Sequence, residues 1–208
     1  MELPARLAPL LEEFDFGCTR LLQRMAGPVL NSGNGVEVAV GPMTDAEHRW
    51  EPVPDCWSIR RHADGPGVGA TLLVGAGDWG RDSAPGPHPV PPPFTTIAWR
   101  LGHLAEMLAL RADHTNGSRA LTRDEYRFHG DAAGAIAAFE AGVEAWRAAL
   151  LDADDAALDE VGRCGYPYGG DPEEAFLDVV WWVNQEVLHH GAEIGLLRDL
   201  YLRRAHLG

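Results

Sequence analysis

The chain contains no lysine: all 17 basic residues are arginine, set against 31 Asp and Glu, for a formal net charge of −14 over 208 residues. A surface this acidic repels phosphate backbones and anionic lipid, which argues against nucleic acid and membrane as partners. No run approaches the roughly 18 consecutive apolar residues of a membrane span. The opening "MELPARLAPLLEEFDFG" lacks a charged segment followed by an apolar one, so no secretory signal is expected and the predicted setting is the cytoplasm. Cysteine is scarce. Cys18, Cys56 and Cys164 are too scattered for a disulfide framework or a Cys-based zinc finger, and each is expected as a small buried hydrophobe. The glycines of 31–41 and 65–77 lack a phosphate-loop pattern, and no Ser/His/Asp constellation or Cys nucleophile stands out.

What the chain does have is apolar periodicity. With 46% apolar residues it can bury a core, and its length suits a single domain over 1–208. Four segments repeat apolar residues at spacings of three and four, which predicts helices. The first runs from about Pro4 to Met25 and the second from about Thr95 to Thr115, entered through a Thr pair suited to capping. The third is alanine-rich and starts at Asp131. The fourth opens at "DPEEAF", with Asp171 as N-cap and Pro172 at the first helical position, and reaches about Arg204. Residues 31–41 and 61–94, rich in Gly and Pro, read as loops; 69–77 could form a short strand. Residues 43–60 read as a short helix followed by an extended segment. The expected class is all-α: a four-helix bundle with a long 61–94 insertion between its first and second long helices.

At about 100° per residue, positions can be laid around the fourth helix. Glu186 and His190 both fall within its apolar stripe, while His189 lies at the edge of that stripe and Glu193 close to it. A carboxylate and an imidazole spaced i and i+4 thus aim inward together. A buried carboxylate without a partner costs several kcal/mol on the order of a lost ion pair, and one divalent cation would satisfy both groups. On the second helix His103 is inside the apolar arc and Glu106 is marginal. Three ligands of this kind are the count found in catalytic metal sites. Each has a plainer reading: an inward histidine can simply be hydrogen-bonded in a core, and Glu193 can orient a ligand instead of acting as a base. Trp99 and Trp182 are candidates to line a pocket with the 61–94 segment. His114, on the face of His103 but about 16 Å along the helix, is too far to share an ion. His48, His62, His88, His129 and His206 lie in polar or loop contexts and are expected in solvent. Arg100 and Arg163 are candidate partners for an acidic substrate.

The segments "RWEPVPDCWSIR", "PFTTIAWRLGHLAEM" and "NQEVLHHGAEIGLLRDLY" together resemble the DinB-like superfamily of metal-binding four-helix bundles, over nearly the whole chain. That family usually places one histidine on the second helix and a His-x-x-x-His pair on the last. Here the pair begins with Glu186, and a His, Glu, His set is the arrangement of the mycothiol-dependent maleylpyruvate isomerases, a zinc-binding branch. The resemblance implies a zinc or nickel site at His103, Glu186 and His190; Glu106 and His189, at the edges of their helix faces, are candidates to stand around it. It also implies a thiol such as mycothiol or bacillithiol activated for S-transfer or isomerisation of a small-molecule substrate, and a homodimer. The lysine-free, Ala/Gly/Arg-rich composition fits a high-GC genome of the mycothiol-using kind. Metal-assisted hydrolysis with Glu193 as base, or a non-catalytic bundle stapled by its metal, are the alternatives.

Overall fold

A computed structural model describes residues 3–27, 30–31, 36–37, 41–86 and 89–206. His88 and most of the 31–41 segment therefore lie outside the described residues. Four long helices dominate: α1 (Ala8–Ala26), α3 (Ile97–Asn116), α4 (Ala132–Leu151) and α6 (Phe176–Arg203). Short helices α2 (Asp45–His48) and α5 (Asp155–Leu158) lie between them. Local chemistry sets several helix starts. The Thr96 hydroxyl accepts from the Trp99 amide at 3.2 Å, and the Asp131 carboxylate accepts from the Gly134 amide at 2.7 Å. Helix α3 packs on α4 and α6, and α1 packs on α6 and α4. Their shared core holds Phe14, Leu101, Leu104, Phe139, Trp146 and Val183. On α4 a glycine permits close contact with α3, since a Cβ on Gly142 would stand 3.2 Å from the Ala105 carbonyl oxygen.

The fourth helix begins later than its sequence suggests. Asp171–Glu173 form a separate single turn, and α6 starts at Phe176 behind Ala175, which has no side-chain cap. The reason is tertiary: the Asp171 carboxylate is taken by Arg111 at 2.8 and 3.0 Å and does not cap the helix.

The chain is mostly helical, but the 61–94 segment is not a plain loop, and the all-α expectation needs that correction. It contributes to a three-stranded antiparallel sheet of β3 (Ile59–Arg61), β5 (Trp79–Ser83) and β4 (Leu72–Val74), in that spatial order. Ile59 pairs with Arg81, and Leu72 with Ser83. A two-residue pairing of β1 (Leu30–Asn31) with β2 (Val36–Glu37) precedes it. The fully buried Asp82 carboxylate accepts from the amides of Ser58 and Gly67 and from Arg60 Nε, at 2.8, 2.7 and 2.8 Å. One buried anion thus gathers two strands and a turn. The sheet rests on the start of α3 through Ile59, Val74, Ala98 and Phe128. The Thr96 amide donates to the Trp57 carbonyl at 3.0 Å, and the Ser58 and Thr96 hydroxyls meet at 2.9 Å.

Candidate metal centre and its cavity

Helices α3 and α6 place His103, Glu186 and His190 side by side. Glu186 Oε2 lies 3.2 Å from His103 Nε2 and 3.4 Å from His190 Nε2, and the three candidate ligand atoms all lie within 4.8 Å of one another. Bonds of about 2.0–2.1 Å at tetrahedral angles separate neighbouring ligand atoms by about 3.3 Å, so the donors present fit a zinc-like ion. The two imidazole rings stand nearly perpendicular, with centroids 5.1 Å apart.

The surroundings orient these groups. His190 Nδ1 meets Glu193 Oε2 at 2.6 Å, which leaves Nε2 directed at Glu186. A histidine that donates Nδ1–H to a carboxylate and offers bare Nε2 is the usual arrangement of a metal-binding imidazole. Arg100 also bonds Glu193 and lies 3.3 Å from His190 Nδ1. Glu193 Oε1 lies 3.4 Å from His189 Nε2. With both oxygens so engaged, Glu193 is placed to orient His190 more than to act as a free base. His189 itself is exposed and stacks on His190 at 5.2 Å.

Trp99 does not line the cavity. It stacks on His103 at 5.4 Å, and its Nε1–H donates to the Asp82 carbonyl on β5 at 2.9 Å. Glu106 is buried and accepts from Arg81 Nη2 and Nε at 2.7 and 3.1 Å. Arg81 in turn lies over the Trp99 ring at 5.0 Å. The sheet therefore braces the first two turns of α3, which carry His103.

Electrostatics at the cluster follow from burial and hydrogen bonding. Burial pushes His103 below its ordinary value, which favours the neutral, metal-ready imidazole. The hydrogen bonds from His103 and then His190 hold the Glu186 carboxyl far below the usual carboxylate range. Burial also lowers Arg100, whose charge is met by Glu193.

Beside the cluster opens a cavity of about 610 Å³, which His103 and Glu186 line at one end. Trp182 lines it; Trp99 and the described residues of the 61–94 segment do not. Sequence reasoning missed Arg111, Arg123, Tyr166, Tyr168 and Trp181. Arg111 stands two turns beyond His103 on α3 and could have been found by extending the same face. Arg123 comes from an irregular connection that no periodicity marks. Arg100 and Arg163 are engaged elsewhere, with Glu193 and Glu160.

Among the other histidines, His62, His129 and His206 are exposed as expected, whereas His48 is fully buried under the helices and is a correction. His114 is buried and lies 2.8 Å from the Leu121 carbonyl oxygen through Nε2. All three cysteines are free and buried, and burial raises Cys18 to about 12.

A mostly helical fold that gathers two imidazoles and a carboxylate from facing helices is compatible with a helical metal-binding protein. The sequence profile of the DinB superfamily matches residues 33–194, most of the chain, and the chain belongs to that superfamily. Comparisons with curated proteins and with solved structures found no match. Among the described residues no helix is long and apolar enough to cross a membrane.

Proposed function

We propose that the protein is a divalent-metal-dependent enzyme. His103, Glu186 and His190 hold zinc, or alternatively nickel, and a low-molecular-weight thiol such as mycothiol is activated for transfer or isomerisation. The observation that carries this reading is the convergence of the three donors, at 3.2 and 3.4 Å about Glu186 Oε2, on the edge of a 610 Å³ cavity. When bound, the ion supplies a Lewis acid that holds a thiol as its thiolate. The chain's own residues do the rest. Glu186 contributes the negative charge, Glu193 fixes the ring of His190, and Trp99 holds the ring of His103 from the sheet side. Trp181 and Trp182 give the small-molecule substrate apolar walls.

The cavity favours an enzyme over a metal-stapled bundle, and the commitment of Glu193 to His190 and Arg100 deprives a hydrolase of its candidate base. The rest of the reading is a single domain over 1–208, built as a four-helix bundle and working in the cytoplasm. The homodimer implied by the family resemblance has a face available, where Phe16, Leu188 and Leu196 stand exposed along a groove between α1 and α6.

Metal analysis of purified protein tests the ligand set: stoichiometric zinc or nickel is expected, and His103→Ala should lose it while staying folded. A fluorogenic bimane electrophile tests the chemistry. Consumption that requires both mycothiol and His103 supports the proposal; equal consumption by metal-stripped protein would sink it.

A further inference from the structure

Resting on the reading of the cavity as a small-molecule site beside a metal, we infer that it takes an aromatic monocarboxylate, with Arg123 as the residue that holds the carboxylate. Of the two arginines that line the cavity, Arg111 is already matched. Asp171 binds it through two oxygens at 2.8 and 3.0 Å, and the Tyr166 and Trp182 rings cover it at 4.1 and 4.4 Å. Arg123 is not matched in this way. Its nearest carboxylate oxygen is Glu106 Oε1, 3.7 Å from Nε, while Glu106 Oε2 receives Arg81 at 2.7 and 3.1 Å. Both Arg123 Nε and Glu106 Oε1 are buried without a hydrogen-bond partner among the described residues. The Arg123 Nη2 donates only to a neutral acceptor, the Tyr166 hydroxyl, at 2.8 Å, and its guanidinium lies over the Tyr168 ring at 4.5 Å. Three guanidinium groups, of Arg81, Arg111 and Arg123, thus face two carboxylates, of Glu106 and Asp171. Arg123 is the one of the three with no carboxylate within hydrogen-bond distance, which leaves its planar fork for the carboxylate of a ligand.

The remaining lining sets the other features of that ligand. Glu174 and Asp178 stand exposed on the cavity rim and repel a second negative charge, which disfavours phosphate dianions and dicarboxylates. Trp181, 53% exposed, and Trp182, 38% exposed beside the Arg111 guanidinium it covers, offer flat apolar surface to the cavity, which suits an aromatic ring. His103 and Arg111 are about 12 Å apart in rise along α3, and Arg123 shares the Tyr166 ring with Arg111. A ligand anchored at Arg123 therefore extends its far end toward the metal ligands.

Titration of the full-length protein with phenylpropanoate, phenylpropanamide and phenylmalonate, followed by calorimetry, tests this. Wild type should bind the monoacid about tenfold more tightly than the amide, with the diacid weaker than the monoacid. Arg123→Met should bring the acid down to the affinity of the amide, and Arg123→Lys, which keeps charge without the fork, should fall between. The titrations are run on metal-loaded and metal-stripped protein. A preference for the acid that survives stripping and vanishes in Arg123→Met supports the inference, even if the purified protein proves to hold no metal and the proposed enzyme reading falls. Acid binding that requires the metal but not Arg123 places the carboxylate on the ion and overturns it. Equal binding of acid and amide, or no binding of either, overturns it as well.

Discussion

Of the carboxylates that line the cavity, Asp171 and Glu186 are treated in opposite ways. Asp171 is met by a permanently charged guanidinium in a two-point grip, and aromatic rings seal the pair on both sides. Glu186 is met only by two imidazoles, groups whose charge is conditional, at the longer distances of 3.2 and 3.4 Å. The first arrangement is complete with the protein's own atoms. The second is spaced for an ion that the two rings and the carboxylate would share. The difference teaches that polar groups along one wall can be built differently: one is matched within the fold, the other is spaced so that an ion could be shared.

Removing the carboxylates separates them. Asp171→Ala leaves a buried guanidinium unpaired and should cost about 3–5 kcal/mol in urea unfolding of metal-stripped protein. Glu186→Ala under the same conditions should cost about 1 kcal/mol or less, because the imidazoles it leaves behind can go neutral. Equal losses would erase the contrast.

His48 offers a third case, a buried imidazole with neither ring nitrogen hydrogen-bonded among the described residues. Burial lowers it from the ordinary 6.5 to about 4, so its neutral form is the folded one. Its contribution is fully present above pH 6.5 and is lost as pH falls toward 4, by up to roughly 3 kcal/mol. The stability difference between wild type and His48→Leu, followed from pH 7 to 4, should therefore move against wild type; a constant difference would show that His48 takes up its proton equally in the folded and unfolded states.

A further effect, on affinity and not on stability, concerns the orienting carboxylate. Glu193→Gln should weaken metal affinity by about 10–100-fold without changing the stoichiometry at saturating metal, as read by competition with a chelating dye. Unchanged affinity would remove Glu193 from the centre.

Much of this arrangement was legible in the sequence because it depends on local rules. Thr96 and Asp131 cap the helices they precede, and helical spacing alone turns His103, Glu186 and His190 inward. Other features depend on distant partners and left no local trace. Asp171 reads as a helix cap until Arg111, 60 residues away, claims it. The strands of the sheet are three to five residues long and separated by connections rich in Gly, too short for alternation to register. Trp99 reads as a pocket residue because its face points inward. Only the Asp82 carbonyl, supplied by β5, decides that its indole is spent on bracing His103. Arg123 and Tyr168 lie in connections, where neither period applies.

The bracing sheet has one further effect, on traffic. It grips α3 through Thr96, Trp99 and Glu106, whereas the cavity opens between α6 and the Tyr166–Asp171 connection. No residue of the sheet lines that opening. On the proposed function, a small molecule would reach the His103–Glu186 centre past Tyr168, Trp181 and Trp182, and the sheet would serve as a buttress to α3 and not as a door.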